Sequence, residues 1–132
     1  MGNASAADMA EKKFVSLTTF KRDGSPVASP MWIAADGGHL VVWTPADTWK
    51  VKRARRDPRI ELRPCGRTGK VDADAPVLTG TAEVVTDSDY VTHVATVVKE
   101  KYGLEFTVIT FAERLFAHGR KPRVALRITP AA

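Results

Sequence analysis

The fold is decided by residues 14–44, which read FVSLTTFKRDGSPVASPMWIAADGGHLVVWT. Three segments are rich in β-branched, aromatic and other apolar side chains, namely residues 14–20, 26–34 and 39–44. Asp23-Gly24 separates the first two segments, and Asp36 with the two glycines after it separates the second from the third, both of which favour tight turns. The pattern predicts three successive antiparallel strands, a β-meander that begins with a hairpin.

The rest of the chain adds strands and helices in turn. Further strands are predicted at residues 59–64, 77–85 and 123–128, and helices at residues 4–13, 47–56, 87–102 and 110–116. Gly80 lies inside a strand, where it marks a bulge or a close approach of another backbone. Residues 66–76 are rich in turn formers and charges, which predicts a mobile loop. We therefore expect a mainly β, α+β fold: an antiparallel barrel of about six strands with flanking helices.

Length and composition predict one domain over residues 1–132. With 44% apolar residues, the chain can bury a core without disulfides, and its one cysteine, Cys65, has no partner within the chain. No apolar stretch approaches the ~20 residues that cross a bilayer. Residues 1–13 are Ala-rich and charged, without the apolar core of a signal peptide. We expect a soluble, cytoplasmic protein.

Positive charge is concentrated in residues 50–70. This window holds nine Lys or Arg against two acidic residues, a net +7, so the rest of the chain sums to −2. It begins where the strand at 39–44 gives way to the helix at 47–56. The start of a helix offers free backbone N–H groups and the positive end of the dipole, which together with Lys50 predict a phosphate site. For Lys52 and Arg53, a solvent-exposed role remains an equal alternative.

The same charge leaves nucleic-acid binding open as a second class of function. A sequence pI near 9.6 permits a polyanion partner. Nucleic-acid barrels display aromatic side chains on which bases stack, whereas Trp32 and Trp43 lie in apolar strands ahead of the basic window. That placement favours one enclosed ring over a nucleic-acid strand.

Nothing in the sequence identifies a catalytic nucleophile or a metal site. Cys65 has no histidine near it in the chain, and a single cysteine is usually a small apolar side chain in a core. His39, His93 and His118 lack the spacing of metal ligands. The catalytic residues remain unknown at this stage, and no metal is expected.

The order of motifs resembles the pyridoxamine 5′-phosphate oxidase-like flavoproteins, whose fold is a split β-barrel that binds flavin mononucleotide (FMN). The motifs are Ser29-Pro30-Met31-Trp32, Trp43-Thr44, Thr48-Trp49-Lys50 and residues 55–60, read as Arg-Arg-Asp-Pro-Arg-Ile. Trp49 stands where FMN-binding members commonly carry an arginine. Together with the short chain and residues 63–69, it resembles the actinobacterial branch that uses the deazaflavin coenzyme F420.

The resemblance implies a set of cofactor-binding residues. They are Ser29, Pro30, Met31, Trp32, Trp43, Thr44, Thr48, Trp49, Lys50 and Lys52. Lys50 is implied to contact the cofactor phosphate and Thr48 to line the same pocket, while the backbone of residues 29–32 follows the tricyclic ring. Trp32 and Trp43 are large and flat enough to cover that ring, although a place in the core is an equal alternative for Trp43. Ser29 and Thr44 carry hydroxyls that could bond its polar edge, and ordinary strand residues are the alternative for both.

The resemblance also implies an activity and an assembly. We expect an oxidoreductase that transfers a hydride between reduced F420 and a small organic substrate, in a homodimer whose cofactor site lies at the subunit interface. Because the cofactor supplies the chemistry, no catalytic acid or base need be visible in the sequence. An FMN-dependent oxidase or reductase of the same fold, a nucleic-acid-binding barrel and an inactive cofactor carrier remain the alternatives.

Overall fold

A computed structural model describes residues 5–116 and 122–131. In these residues the chain forms one antiparallel sheet and four helices. The elements within those residues are α1 (Ala6–Ala10), β1 (Val15–Phe20), β2 (Pro26–Met31), β3 (Ala34–Asp36), β4 (His39–Pro45), α2 (Trp49–Arg56), β5 (Arg59–Pro64), β6 (Leu78–Val85), α3 (Ser88–Tyr102), α4 (Leu104–Phe116) and β7 (Arg123–Pro130). The predicted split-barrel architecture is confirmed, with seven strands in place of about six.

The strand order is β2-β1-β5-β6-β7-β4-β3, and every pairing is antiparallel. The sheet is not closed: β2 and β3 are its two edges, and the chain passes from one edge to the other through Trp32 and Ile33. The predicted meander is therefore wrong, because residues 26–34 form two strands that lie at opposite ends of the sheet. Of the first four strands, β1 pairs with β2 and β3 pairs with β4, but β2 does not pair with β3.

The second neighbour of β1 is β5, not another early strand. The first five residues of β1 are all buried, as expected of a strand that is covered on both faces and paired on both edges. Alternation of side chains tells which residues share a face, but it does not identify the neighbouring strand. That is the physical reason why the sequence pattern could not give the strand order.

Two apolar clusters form on the two faces of the sheet. The inner cluster consists of Met9, Val15, Leu17, Ile33, Leu40, Val42, Ile60, Leu62, Leu78, Ala82, Leu126 and Ile128. On the outer face, Val41 of β4 and Ala125 of β7 pack against Val94 and Val98 of α3. Consecutive residues of β4 and β7 thus alternate between the barrel interior and the layer covered by α3.

Side chains at the end of α3 form hydrogen bonds with the crossing, the segment Trp32–Ile33 that connects the two sheet edges. The hydroxyl of Tyr102 accepts the backbone N–H of Ile33 at 3.0 Å and lies 2.7 Å from the carbonyl oxygen of Lys13. The ammonium of Lys101 donates to the carbonyl oxygens of Ala10 (2.8 Å), Lys12 (2.6 Å) and Ile33 (2.5 Å). Burial lowers the pKa of Lys101. These bonds join α1, the crossing and α3, so backbone groups away from the sheet ladder are paired.

Two helices differ in length from the prediction. The first helix is shorter: α1 covers Ala6–Ala10 and is capped by Ser5, whereas residue 4 lies outside the described part of the chain. The last helix is longer, since α4 begins at Leu104 directly after Gly103, which has a φ of +58° and ends α3. Its first turns contain β-branched and aromatic residues of modest helix propensity, which is why the pattern missed them.

The glycine prediction in β6 is confirmed. A Cβ placed on Gly80 would lie 2.5 Å from the carbonyl oxygen of Thr129 on β7, which no real side chain permits. The close approach of β6 and β7 therefore depends on the absence of a side chain at Gly80.

Residues 66–76 contain hydrogen-bonded turns, with the N–H of Gly66 bonded to the carbonyl of Lys70 at 3.1 Å.

Replacing Tyr102 by Phe tests the fastening of the crossing. The Phe ring keeps the stacking on Trp32, but the N–H of Ile33 loses its buried acceptor, so we expect the free energy of unfolding to fall by about 1–3 kcal/mol. Tyr90→Phe is the matched control, because that hydroxyl is only partly buried and lies 3.3 Å from Asp36. Urea denaturation measures both variants. Equal losses would contradict the special role of Tyr102.

Candidate functional site

The start of α2 is open to an anion. Val51 and Ala54 are buried, and the helix packs against β1 and β6. Thr48 occupies the N-cap, but its hydroxyl donates to the carbonyl of Pro45 (3.3 Å) and does not cap the helix. The first turn contains no acidic residue. Backbone N–H groups and the positive end of the helix dipole are therefore available to a bound anion.

Lys50 lies in that first turn and is partly buried. Burial lowers the pKa of its ammonium, and the nearby charge of Arg53 lowers it further. Among the described residues, no carboxylate lies within salt-bridge distance of Lys50. A bound phosphate would act in the opposite direction, since an adjacent negative charge favours the protonated amine.

Most of the other cations around α2 have contacts within the chain. These contacts are Arg53 to the hydroxyl of Thr19 (2.7 Å), Arg56 to the carbonyl of Phe20, Lys52 to the ring of Trp49 (4.4 Å) and Arg59 to Asp57 (2.7 Å). Trp49 itself is 69% exposed. The basic window thus consists partly of structural cations, and Lys50 differs from them in having no such partner among the described residues.

Ser29, Pro30 and Met31 lie on the edge strand β2. In the register with β1, Ser29 is opposite Leu17 and so shares its inward face, while Pro30 is on the outer face. Gly69 lies against Pro30, because a Cβ on Gly69 would be 3.4 Å from the proline ring. These candidate residues therefore form a group at one edge of the sheet, next to the turn at residues 66–70.

The two candidate tryptophans lie on the side covered by α3 and α4. Trp32 stacks on Tyr102, with ring centroids 4.2 Å apart and planes 10° from parallel. Trp43 lies 5.1 Å from Phe106, and the guanidinium of Arg123 is 4.0 Å from its ring. Trp32 belongs to the crossing before β3, so its predicted place in a strand that neighbours β4 is wrong.

Thr44 follows Trp43 but faces the opposite side of β4. It is 1% exposed, and its hydroxyl has no hydrogen-bond partner in the described part of the chain. The indole N–H of Trp43 is also buried without a partner there. The structure thus separates the candidate residues into the β2 edge, the outer aromatic group, the inward Thr44 and the start of α2. Their contact with a cofactor stays a prediction.

A cavity of about 440 Å³ lies between α3, α4 and the strands β4 and β7. Trp43, Val91, Ala95 and Phe106 contribute to its walls, and Glu113 and Arg123 line it as an ion pair. Of these residues, sequence reasoning identified only Trp43. A predicted start of α4 at Leu104 would have placed Phe106 and Glu113 on one helix and could have indicated that they line a common cavity.

Among the described residues, Cys65 and His93 are held in structural surroundings. Burial raises the pKa of the Cys65 thiol, which disfavours the nucleophilic thiolate. His93 bonds Asp36 at 3.0 Å and lowers the pKa of that carboxyl, while His118 lies outside the described residues. Residues 5–116 and 122–131 contain no group of three or more metal-ligating side chains.

Over the same residues, no helix combines the length and apolar character needed to cross a bilayer.

Comparisons with solved structures identify the same fold in proteins of different function. An F420 reductase is 20% identical, with 98% of this chain and 95% of that chain covered and a TM-score of 0.61. The conserved hypothetical protein Rv2991 from Mycobacterium tuberculosis is 26% identical, with 98% and 82% covered and a TM-score of 0.68. HutZ, the heme storage protein from Vibrio cholerae, is 15% identical, with 100% and 92% covered and a TM-score of 0.66.

The family assignment comes from the comparison with family models. The comparison with curated proteins gives no match. The family model for pyridoxamine 5′-phosphate oxidase matches residues 3–132, which is nearly the whole chain. The chain therefore belongs to the pyridoxamine 5′-phosphate oxidase family.

Proposed function

We propose that the protein is an oxidoreductase that binds coenzyme F420 and transfers a hydride between the reduced cofactor and a small organic substrate. The observation that carries the proposal is Lys50, a partly buried ammonium in the open first turn of α2 with no carboxylate beside it among the described residues. Membership of a family of oxidases and the likeness to an F420 reductase support it. The fold alone would not suffice, since HutZ shares it.

The residues at α2 fit the phosphate of such a cofactor. Thr48 leaves the helix end uncapped, the first turn is free of acidic residues, and Lys50 supplies a charge-assisted donor. An exposed lysine would be a weaker argument, because a solvated ammonium gains little from a single ion pair. Partial burial makes the anion the natural partner of Lys50.

The bound deazaflavin would supply the hydride chemistry, and the residues of this chain bind and orient it. Lys50 and the first-turn amides would hold the phosphate end of the cofactor. The aromatic side chains Trp32 and Trp43 contribute apolar surface that excludes water from a ring placed against them. Orientation of the two reactants and exclusion of water are sufficient roles for a protein whose cofactor carries the reaction.

FMN is the closest alternative cofactor, because it offers the same phosphate to Lys50. The position at which FMN-binding relatives are expected to carry an arginine holds Trp49, whose exposed ring contacts Lys52 instead. That replacement removes one phosphate donor and favours F420.

Nucleic-acid binding is less well supported by the contacts. Arg53, Arg56 and Arg59 all bond to groups of their own chain, so fewer cations remain to follow a phosphate backbone. Trp32 and Trp43 pack against Tyr102 and Phe106 rather than on an open platform. One partly buried anion site at Lys50 accounts for the charges better than an extended polyanion track.

We also propose a homodimer with the cofactor site at the subunit interface. On the outer face of the edge strand β2, Pro26, Ala28 and Pro30 are exposed and small, whereas Ser16 and Thr18 of β1, which lie opposite Pro30 and Ala28, are buried within the chain. Such a flat surface of small side chains allows two sheets to approach closely in a symmetric contact.

Lys50→Ala tests the phosphate assignment. We expect the affinity for F420 to fall about 10- to 150-fold, or roughly 1.5–3 kcal/mol, because a charge-assisted hydrogen bond to one phosphate is lost. Arg55→Ala removes the same charge from an exposed position on α2 and should cost less than about 1 kcal/mol. Fluorescence titration of both variants gives the comparison. Equal losses, with equal changes in the salt dependence of nucleic-acid affinity, would favour the polyanion function.

A second titration distinguishes F420 from FMN. F420 extends beyond the phosphate into a tail of carboxylates, which the exposed side chains of Lys52 and Lys70 can attract. We expect F420 to bind more tightly than FMN and to lose more affinity as salt is raised, since exposed charges are screened. Competition fluorescence at two ionic strengths measures this. Equal or tighter FMN binding would make the protein an FMN enzyme.

The dimer is tested by sedimentation of the parent and of Ala28→Glu. We expect the parent to sediment at twice the 14.4 kDa of one chain, and the variant to dissociate because two carboxylates would meet across the contact. Thr96→Glu, on the exposed side of α3, is the control and should leave the mass unchanged. A parent that stays monomeric at micromolar concentration with F420 bound would refute the shared site.

A further inference from the structure

We propose that the outward face of α4 docks on the surface of an anionic lipid bilayer, with the helix parallel to the membrane plane. The face carries an apolar stripe of Leu104, Val108 and Phe111, whose exposed fractions are 77%, 57% and 64%. Contiguous exposed apolar side chains of this size mark an interaction surface. The stripe contains no residue assigned to the cofactor, so its role is independent of the proposed oxidoreductase activity.

The stripe lies on one side of α4 because its residues follow the i, i+4, i+7 spacing of a helix. Between them the same side adds only Thr107, which is exposed and uncharged. The opposite side of α4, which includes Phe106, faces the cavity over β4 and β7. A helix face in water normally carries charged side chains, so the outward face of α4 is suited to apolar surroundings.

The length of α4 fits a helix that lies on a membrane. It has 13 residues, fewer than the ~20 that span the hydrocarbon core of a bilayer. Interfacial helices place leucine and phenylalanine at the boundary between lipid headgroups and acyl chains, and cations beside them meet the headgroups. The stripe supplies the apolar part of such an arrangement.

Positive charge surrounds the first turn of α4. Residues 11–13, 66–70 and 99–105, here called the basic rim, together hold six Lys or Arg against three Glu, a net charge of +3. Anionic lipids give a bilayer a negative surface potential, which attracts clustered cations within about a Debye length of the surface. Charge and apolar area therefore favour the same partner.

Contacts bring the three segments of the basic rim together. The ammonium of Lys13 lies 2.7 Å from the carboxylate of Glu105, and the guanidinium of Arg67 lies 3.9 Å from it. Lys101 donates to the carbonyl oxygen of Lys12 at 2.6 Å. Two cations thus share the one carboxylate of Glu105, and both have side chains that are about half exposed or more. Positive charge remains open to solvent beside the stripe.

A second copy of the chain would be the other way to cover the stripe. A symmetric contact between two α4 helices would add a second basic rim to the first, and like charges oppose association. The face of β2 that is proposed as the dimer contact lies at the far edge of the sheet from β4 and β3. Charge complementarity therefore favours the anionic bilayer over a second copy at α4.

Flotation of the full chain with vesicles tests the docking. One vesicle is phosphatidylcholine alone, and the other is an equimolar mixture of phosphatidylcholine and phosphatidylglycerol. We expect the protein to bind the anionic vesicles at least about tenfold more tightly than the neutral vesicles at low salt. The preference should shrink as salt is raised, because exposed charges are screened.

Leu104→Ser combined with Phe111→Ser tests the stripe at unchanged net charge. We expect the affinity for anionic vesicles to fall about tenfold or more, because both side chains lose their transfer out of water. Trp49→Ser removes an equally exposed aromatic side chain from α2 and should change the vesicle affinity less than about twofold. If circular dichroism shows that the double variant does not fold, Val108→Glu places a charge within the stripe and should cause the same loss.

Lys13→Gln combined with Arg67→Gln tests the basic rim. We expect the affinity for anionic vesicles to fall about tenfold and the affinity for neutral vesicles to stay the same, because only the charge attraction is lost. Lys21→Gln combined with Arg22→Gln removes the same charge from exposed positions after the other end of β1. This control should lose less affinity for anionic vesicles than the rim variant.

Four results would overturn the proposal. The first three are no binding to anionic vesicles, equal affinity for the two kinds of vesicle, and a stripe variant that binds as the parent does. The fourth is a stripe variant whose mass in sedimentation without vesicles falls below that of the parent, since a second copy would then cover α4. None of these outcomes bears on F420 binding at Lys50, which is measured in solution without lipid.

Discussion

The crossing between the two edges of the sheet is the constraint on which the rest of the structure depends. The chain leaves β2 and enters β3 through Trp32 and Ile33, and Ile33 is fully buried in the inner cluster. Its N–H and carbonyl therefore need partners inside the protein, which Tyr102 and Lys101 supply from the end of α3. Without these bonds, the N–H and carbonyl of Ile33 would be buried without partners, while α3 would still pack on the sheet through Val94 and Val98.

The position of α3 in turn creates the outer layer. The helix α3 packs on Val41 and Ala125, and its residues Val91 and Ala95 line the cavity together with Trp43. Gly103 then reverses the chain with a positive φ, so α4 returns across the same face and brings Phe106 and Glu113 to β4 and β7. The cavity is thus a consequence of two helices that meet over a strand with a large outward side chain.

Several of the positive charges around α2 make structural contacts within the chain. The basic window of residues 50–70 is continuous in the sequence, yet Arg53, Arg56 and Arg59 stabilise contacts of α2 and β5 with β1 and with the turn between them. Lys50 is set apart by partial burial beside an open helix end. The same fold occurs in an F420 reductase and in a heme storage protein, so the fold alone does not determine what a protein binds.

Local pattern in the sequence determined the existence of most strands, the turns, α2 and α3, the close approach at Gly80, and, through motifs, the family. Each depends on side-chain period, turn chemistry or backbone sterics within a few residues. Strand order, the split of residues 26–34 between opposite edges, and the meeting of Trp43 with Arg123 and Glu113 were decided by the tertiary structure alone. The physical reason is that a period of two assigns a side chain to a face of the sheet but carries no information about the distant strand or helix that will cover it.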